Sequence, residues 1–195
     1  MKYDIPEGQA EILPNKLRLT KAEDIAISEF DGFLEAEILL TESLGSKTRF
    51  TTEYILKIHK LALNHLYTFA GKYRNVNLSK GGFQFSSALY LPQSMKDFND
   101  EILVKLPDTY SDEKSLIKDV ATVHAELLFI HPFREGNGRT ARILANLMVR
   151  KAGYNPIEFS KIKEEVFEQY ISAVQMAALK DYQPMTDLIS IIFPV

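Results

Sequence analysis

The sequence contains no cysteine among its 195 residues. Disulfide bonds, thiolate nucleophiles and cysteine-based zinc sites are therefore excluded, and the composition is compatible with a reducing compartment. Hydrophobic residues make up 46% of the chain and charged residues 25%, the balance of a globular protein. A chain of this length can bury one sizeable core, so we expect one main domain at 51–195, with residues 1–50 as an N-terminal arm and helix packed on it.

The chain also lacks a positive net charge, a long apolar run and a visible secretory signal. Its formal net charge is -3 and its isoelectric point is near 5.9, so no electrostatic footprint for a nucleic-acid backbone covers the molecule. No apolar run reaches the roughly 18 residues that a membrane span needs. The first ten residues include Asp4 and Glu7 and have no apolar segment of the kind found in signal peptides. We therefore expect a cytoplasmic protein with neither nucleic acid nor a membrane as partner.

Hydrophobic periodicity in the first part of the chain predicts an irregular arm followed by two helices. Residues 1–20 mix proline, glycine and charge without a period. Apolar residues then recur at helical spacing over 21–44, where Gly45 marks the end, and from a Thr51 cap to Gly71. The apolar positions are Ala26, Phe30, Phe33, Leu34, Ile38 and Leu39 in the first helix and Ile55, Ile58, Leu61, Leu66 and Phe69 in the second.

The rest of the chain predicts one hairpin and four more helices. Apolar residues over 75–91 flank Gly81-Gly82, which favours two short strands around a glycine turn. Core helices are predicted from just after Ser111 to residue 130 and from about 139 to 151, and further helices over 161–179 and up to Ile192. These elements together predict an all-α fold with one short β-hairpin. The buried positions expected in the two core helices are Leu116, Val120, Val123, Leu127 and Ile130, then Ile143, Leu144, Leu147 and Met148.

The loop before the second of these core helices has the sequence Gly136-Asn137-Gly138. Unpaired N–H groups and the dipole at a helix N-terminus favour an anion, and the glycines permit the positive φ values that make consecutive N–H groups converge. Arg139 and Arg142 follow three residues apart, on one face of the first helical turn, where two guanidinium groups can bind a polyphosphate. The loop therefore predicts a phosphate-binding site.

Two side chains beside this loop add chemistry to it. Glu135 precedes Gly136, and one carboxylate beside bound phosphates is a common protein contribution to a Mg²⁺ ion that keeps its waters. His131 comes off a helix end because Pro132 disfavours the helical conformation there, and its ordinary pKa of about 6.5 suits a base at neutral pH. Phe133 is expected to anchor the loop in the core. The other three histidines lack such neighbours and are interpreted as core or surface residues: His59, His65 and His124.

The stretch from His131 to Arg142 resembles the signature of Fic-domain proteins: histidine, proline, phenylalanine, two residues, then glycine, asparagine, glycine and arginine, with a second arginine three positions on. Every defining position is filled, and the resemblance extends over roughly 53–192. The opening residues 5–9 resemble a subgroup named mobile mystery protein B. Further similarity to the family lies at 66–74, 79–83 and 124–127.

The resemblance implies a Fic-type helical bundle with a short β-hairpin flap. It also implies transfer of AMP from ATP to a Tyr, Thr or Ser hydroxyl of a target protein, with release of pyrophosphate. By motif position, His131 would deprotonate the acceptor hydroxyl and Glu135 would hold Mg²⁺ between the phosphates. The nucleotide would be bound by Gly136, Asn137 and Gly138 along the α- and β-phosphates, by Arg139 at the β-phosphate and by Arg142 at the γ-phosphate.

The resemblance also assigns a role to the predicted hairpin. Lys80, Gly81, Gly82 and Phe83 would form the flap that docks the target protein by main-chain strand addition. The alternative from the residues alone is a tight hairpin turn with no role in docking.

A restraint on the second motif arginine is expected from the same resemblance. Many Fic proteins carry a self-inhibitory helix in which Ser or Thr is followed by three residues, a glutamate and then Gly or Asn, and the glutamate pairs with that arginine. Ser28, which Glu29 follows directly, does not fit this pattern, and Ser160 lies outside the usual inhibitory positions. Arg142 is thus either unrestrained or restrained by a separate small protein. We expect the latter, an antitoxin-like inhibitor of a toxin–antitoxin pair.

Two alternative functions remain open. The loop recognises phosphate rather than a base, so the transferred group could be UMP, a phosphoryl group or phosphocholine. Kinases of the Doc type have alanine and lysine in place of the two glycines, whereas Gly136 and Gly138 are both present here, which favours AMP. The other alternative is an inactive nucleotide-binding module, against which the presence of His131 argues.

Overall fold

The structure is a computed structural model that describes residues 12–194, without the side chains of Glu164 and Glu165. Within this range the chain forms seven α-helices and one antiparallel hairpin, which confirms the predicted all-α fold with a β-hairpin. None of these helices combines the length and apolar character that crossing a membrane requires. The helices are α1 (Ala22–Glu42), α2 (Thr52–Leu63), α3 (Leu91–Glu101), α4 (Glu113–Ile130), α5 (Asn137–Lys151), α6 (Glu164–Met176) and α7 (Gln183–Ile192), and the strands are β1 (Ser79–Lys80) and β2 (Phe83–Gln84).

Helix α4 forms the centre of the bundle and packs against α3, α5, α6 and α7. Asp112 caps it, since its carboxylate accepts a hydrogen bond of 2.8 Å from the Ser115 N–H. The buried positions predicted for this helix are confirmed, because all five apolar residues are buried. The four apolar positions predicted for α5 are also buried, and Gly153, with φ of 92°, follows the end of the helix.

Helix α2 begins as predicted and ends early. Thr51 caps it by accepting a hydrogen bond of 3.2 Å from the Tyr54 N–H. The helix stops at Leu63 rather than before Gly71, because the chain turns there and Leu66 enters the core. His59 fixes this turn by accepting a hydrogen bond of 2.8 Å from the Gly71 N–H at its Nδ1.

Helix α1 buries a different face from the one its apolar residues suggest. It packs against α2 and α5 through Glu29, Gly32, Phe33, Ala36 and Leu40. The helix is confirmed, but most of the apolar residues that predicted it lie on its solvent side. The exposed ones are Phe30, Leu34, Ile38 and Leu39, together with Ile27.

Close contact between α1 and α2 explains the glycine inside α1. A Cβ atom at Gly32 would lie 2.1 Å from the carbonyl oxygen of Ala62 and 2.4 Å from Cε1 of His65. The Gly32→Ala change is therefore expected to destabilise the protein by about 1–3 kcal/mol, despite the better helix propensity of alanine. Urea unfolding measures the effect, with Gly45→Ala as the matched control because nothing lies within 4 Å of a Cβ there. Equal midpoints for the two variants would contradict the packing of α1 on α2.

Helix α3 was not predicted. It buries only Leu91, Met95 and Phe98, and its remaining positions are mostly polar, so the apolar stripe is narrow. Pro92 lies in its first turn, where the missing N–H has no helical partner to lose. The division of the chain at residue 50 stays a prediction. The opening stretch at 5–9, which suggested the subgroup, lies outside the described residues.

Candidate active site

The predicted base lies at the C-terminal end of α4. His131 follows the last helical residue and adopts a left-handed backbone conformation with φ of 54°. Pro132 disfavours the right-handed helical region at this position, so the helix ends where the sequence predicted. The imidazole is 8% exposed and stacks on Phe85, with 3.8 Å between ring centroids. The turn thus holds the ring between the helix end and the segment that follows β2.

The His131 side chain is neutral and has a defined tautomer. Its Nδ1 lies 2.8 Å from the carbonyl oxygen of Leu128, and a carbonyl can only accept, so Nδ1 carries the hydrogen and Nε2 is the basic nitrogen. Burial lowers the pKa of His131 to about 3; the hydrogen bond to Leu128 opposes this shift, and the positive charges of Arg74 and Lys80 add to it. The ring is therefore uncharged at pH 7.

The loop between α4 and α5 is closed by its own side chains. Asn137 Oδ1 accepts a hydrogen bond of 2.8 Å from the Phe133 N–H, and Asn137 Nδ2 donates one of 2.7 Å to the Phe133 carbonyl. The Phe133 ring is fully buried and stacks on His59 with 3.8 Å between centroids. This confirms the predicted anchor, and it assigns the Asn137 amide to the scaffold of the loop.

The two glycines of the loop have different conformations. Gly136 caps α5 with φ of 78°, and a Cβ atom there would lie 2.8 Å from the Phe33 ring. Gly138 is helical because α5 begins at Asn137, two residues before its predicted start. Positive φ at both glycines was therefore a wrong prediction, correct only for Gly136. At Gly138 the missing side chain leaves open space instead.

Arg139 contacts two carboxylates, one four residues before it in the motif loop and one on α1. Its Nη2 lies 3.3 Å from Glu135 Oε1 and forms an ion pair with Glu29 of α1. Glu29 also accepts a hydrogen bond of 2.7 Å from the Tyr67 hydroxyl. The guanidinium group lies 4.5 Å from the centroid of the Phe33 ring. The orientation of Arg139 is thus fixed by α1 as well as by its own helix.

Glu135 is buried beside the N-terminus of α5. Its Oε1 accepts a hydrogen bond of 2.7 Å from the Gly136 N–H, and its main-chain oxygen accepts one of 3.0 Å from His59 Nε2. Residues 12–194 contain no group of three or more side chains suited to hold a metal ion by themselves. One carboxylate without further protein ligands fits Mg²⁺ that arrives with phosphates and keeps several waters.

Arg142 lies one turn further along α5 and is exposed. In the part of the chain that the structure describes, no carboxylate forms an ion pair with it. Its guanidinium group lies 5.9 Å from the centroid of the Phe159 ring. Burial raises the pKa of Tyr170 on α6 to about 12, and the positive charge of Arg142 opposes that shift. The groups beside Arg142 are thus neutral.

The hairpin has the predicted form. β1 and β2 pair antiparallel with Lys80 opposite Phe83, and both turn residues have positive φ, 56° for Gly81 and 79° for Gly82. Two consecutive positive φ values are those of a type I′ turn, which matches the twist of the strands. The glycines are exposed at the tip, and Phe83 packs 6.3 Å from Phe129 of α4.

These groups meet at one cavity of about 300 Å³. Its walls are the start of α5, the end of α4, the hairpin and α6, so the structure brings the whole predicted site together apart from the outer flap residues. A larger cavity of about 660 Å³, near the start of α2, contains none of the predicted residues. The predicted residues that line the smaller cavity are His131, Glu135, Gly136, Asn137, Gly138, Arg139, Arg142 and Lys80.

A model described as the Fic/DOC family matches residues 49–149, more than half of the chain. The chain belongs to the Fic/DOC family. Its match to the protein adenylyltransferase Fic of Nematostella vectensis is 31% identical over 148 residues, which are 75% of this chain and 34% of that relative. The chain thus spans about a third of the length of the curated relatives it matches.

Solved Fic structures share the fold. The N-terminal Fic domain of a VirB-translocated Bep effector protein from Bartonella quintana has a TM-score of 0.77 at 21% identity, covering 95% of this chain and 90% of that one. BepC from Bartonella tribocorum, with bound AMPPNP, has a TM-score of 0.76 at 20% identity, covering 98% and 96%. At these identities the comparison shows a shared helical Fic fold and no more.

One buried residue that the sequence interpretation missed joins the hairpin to the Fic motif. Arg74 is 4% exposed, and its guanidinium group donates to the main-chain oxygens of His131 at 2.8 Å, Val76 at 2.6 Å, Ser86 and, at 3.5 Å, Ile130. Its own N–H donates to the carbonyl of Pro132 at 2.8 Å. The available signal was its place in the stretch 66–74, which resembled the family.

Buried histidines predict acid sensitivity in this Fic protein. Burial lowers the pKa of His59 to about 4 and those of His124 and His131 to about 3. Between these values and the unfolded value of about 6.5, the unfolded state binds more protons, so stability falls as pH decreases through this window. Each histidine contributes a slope of up to about 1.4 kcal/mol per pH unit. Urea midpoints should therefore be clearly lower at pH 5.5 than at pH 7.5, and equal midpoints would contradict the burial of these rings.

Proposed function

We propose that this chain is a protein adenylyltransferase, which transfers AMP from ATP to a Tyr, Thr or Ser hydroxyl of a target protein. One observation carries the proposal. A neutral histidine, the N-terminus of α5 and the two motif arginines all line the same cavity. A base and an anion site that share one cavity suit attack of a hydroxyl on a phosphate. The name of the Nematostella vectensis relative and the AMPPNP bound to BepC support this choice.

In the proposed reaction, His131 Nε2 takes the proton of the acceptor hydroxyl. The hydroxyl oxygen forms a bond to the α-phosphorus of ATP, and the bond from that phosphorus to the bridging oxygen of pyrophosphate breaks, so that pyrophosphate leaves with the electron pair. The hydrogen bond from Nδ1 to Leu128 keeps the basic nitrogen on the other side of the ring. Negative phosphates beside the ring would raise the pKa of His131, which would improve it as a base.

The phosphates are proposed to bind at the start of α5. Main-chain N–H groups of Gly136, Asn137 and Gly138 and the positive end of the helix dipole attract them. Asn137 contributes through its main chain, since its side-chain amide is bound to Phe133. Arg139 is proposed to contact the β-phosphate. This contact would replace part of its present interaction with Glu135.

Glu135 is proposed to hold Mg²⁺ that arrives with ATP. Its carboxylate lies at the cavity wall and supplies one oxygen ligand of the kind Mg²⁺ prefers. When bound, the ion would neutralise charge on the phosphates. A phosphate that takes the Gly136 N–H releases Glu135 Oε1 from its present hydrogen bond.

The hairpin is proposed to dock the target protein. Lys80 lines the cavity, and Gly81, Gly82 and Phe83 follow it along the exposed edge. A two-stranded ribbon has free main-chain groups at both edges, to which an extended target segment can add as a third strand. Such pairing places a target hydroxyl near His131 without dependence on the target's sequence.

Labelled ATP tests the proposed function. The protein is incubated with a cell lysate and ATP labelled at either the α- or the γ-phosphate, beside a His131→Ala control. Protein-bound label from the α-phosphate alone is expected. Label from the γ-phosphate would indicate a kinase, and label from neither would indicate another donor nucleotide or a binding module, so both outcomes contradict AMP transfer.

A separate antitoxin-like inhibitor is proposed to restrain Arg142. Glu29, the buried carboxylate of α1, pairs with Arg139, and no carboxylate among the described residues pairs with Arg142, so the restraint on Arg142 is proposed to come from another protein. The exposed apolar residues of α1, Phe30, Leu34 and Ile38 among them, offer such a partner a docking surface. Expression of the chain alone should therefore arrest growth. Full automodification in cells with no growth defect and no bound partner would contradict this proposal.

A further inference from the structure

A buried polar pair lies behind Arg142. His124, on α4, is 1% exposed, and Tyr170, on α6, is 6% exposed. Their side chains meet with 2.7 Å between His124 Nε2 and the Tyr170 hydroxyl oxygen. His124 Nδ1 lies 3.3 Å from the carbonyl oxygen of Ala141, the residue before Arg142. The pair therefore connects three helices directly beneath the second motif arginine.

The hydrogen bonds of this pair run in one direction. The Ala141 carbonyl can only accept, so His124 Nδ1 carries the hydrogen. Burial lowers the pKa of His124 to about 3, so the ring is neutral and Nε2 has no hydrogen. Nε2 must then accept from the Tyr170 hydroxyl, which uses the only hydrogen of that group. The Tyr170 oxygen is left with lone pairs alone for any further contact.

Arg142 is the charged group that acts on this oxygen. Burial raises the pKa of Tyr170, and the positive charge of Arg142 opposes that shift. A guanidinium has donors only, so it can donate to the lone pairs that His124 leaves on the Tyr170 oxygen. The same guanidinium lies over the Phe159 ring, and Phe159 in turn stacks on His124 with 5.0 Å between centroids. Arg142 and Tyr170 both line the 300 Å³ cavity. The Tyr170 hydroxyl and the Phe159 ring, both in contact with His124, are thus the neutral groups beside this exposed side chain.

We propose that Tyr170 and His124 are positioning residues, which fix the Arg142 side chain at the cavity wall and so strengthen its grip on the terminal phosphate of the nucleotide. The inference rests on the proposed function, in which Arg142 contacts the γ-phosphate. A free arginine side chain loses substantial rotamer entropy when it binds an anion. A guanidinium already held in place has lost most of that entropy before the nucleotide arrives.

A double-mutant cycle on nucleotide affinity tests this. ATP and AMP are titrated into the wild type, Tyr170→Phe, Arg142→Ala and the double variant by calorimetry. Tyr170→Phe keeps the ring and removes only the hydroxyl. It should weaken ATP binding about tenfold, the size of one hydrogen bond to a charged group, and leave AMP binding unchanged. In the Arg142→Ala background the same substitution should have no further effect.

Two variants separate positioning from packing. His124→Leu fills the space without accepting from Tyr170 and should weaken ATP binding as Tyr170→Phe does, whereas His124→Gln, which offers an acceptor, should recover part of the affinity. Tyr182→Phe is the control, since its hydroxyl donates to Glu126 rather than contacting Arg142. If Tyr170→Phe weakens ATP and AMP binding equally, or weakens ATP binding just as much in the Arg142→Ala background, the inference is wrong while the proposed function stands. A wild type that binds neither nucleotide would overturn the proposed function, and the inference with it.

Discussion

Replacement of His131 by alanine is expected to lower the rate of AMP transfer by about 10²–10⁴-fold, the contribution of a positioned general base. The neutral ring, with its hydrogen on Nδ1, places the proton acceptor at Nε2, and no other histidine lines the cavity among the residues that the structure describes. ATP binding should change little, because the groups proposed to bind the phosphates lie on α5. Transfer of label from α-labelled ATP and calorimetric titration with ATP measure the two effects.

His65→Ala is the matched control for this substitution. His65 is exposed and contacts Ser28 of α1, away from the cavity. It should transfer AMP at the wild-type rate, while a second variant, His131→Asn, should be as inactive as His131→Ala. Transfer by His131→Ala within a few-fold of the wild-type rate would mean that a different group takes the proton. Loss of ATP binding in His131→Ala would mean that the substitution disrupts the loop rather than removing a base.

Replacement of Arg74 by alanine is expected to destabilise the protein by about 3 kcal/mol or more. The guanidinium donates to carbonyl oxygens on both sides of the junction, Val76 and Ser86 in the hairpin segment and Ile130 and His131 at the end of α4. Without the guanidinium, these buried and half-buried carbonyl oxygens lose the donor that Arg74 provides. The hairpin should also detach from the motif loop, so protease cleavage near the hairpin tip should become faster than in the wild type.

Two further variants, Arg74→Lys and Arg49→Ala, show whether the loss of stability comes from the hydrogen bonds of the Arg74 guanidinium. Lysine keeps the charge but cannot reach as many acceptors as a planar guanidinium, so Arg74→Lys should recover only part of the stability. Arg49 is an exposed arginine paired with Asp108, and its replacement should cost no more than about 1 kcal/mol. Urea unfolding of the three variants gives the comparison. A cost for Arg74→Ala as small as that for Arg49→Ala would show that the hairpin is held in another way.

The parts of the fold that were predictable are those determined by neighbours in sequence. The core helices α4 and α5 have wide apolar stripes, and the ends of α4 carry local signals in Asp112 and Pro132. The Gly81-Gly82 turn requires positive φ at two adjacent residues, which glycine permits. Helix α3 escaped prediction because three buried residues over eleven positions give too weak a period.

The contacts that could not be predicted join residues far apart in sequence. Glu29 reaches Arg139 across 110 positions, and Arg74 reaches the His131 carbonyl across 57. Each of these side chains alone reads as an ordinary charged residue. Phe85 is similar, since it falls within the stretch 75–91 predicted to form the hairpin, but nothing indicated that it would stack on His131. The motif thus predicted the groups that are proposed to react, while the residues that contact them became visible only in the structure.

The most direct test of the central claim is fragmentation mass spectrometry of protein modified by this chain in the presence of ATP and Mg²⁺. The prediction is an AMP group bound through its phosphate to a Tyr, Thr or Ser hydroxyl oxygen, formed by the wild type and absent after reaction with His131→Ala. A phosphoryl group alone on those hydroxyls, or the same AMP adduct from both proteins, would contradict AMP transfer with His131 as the base.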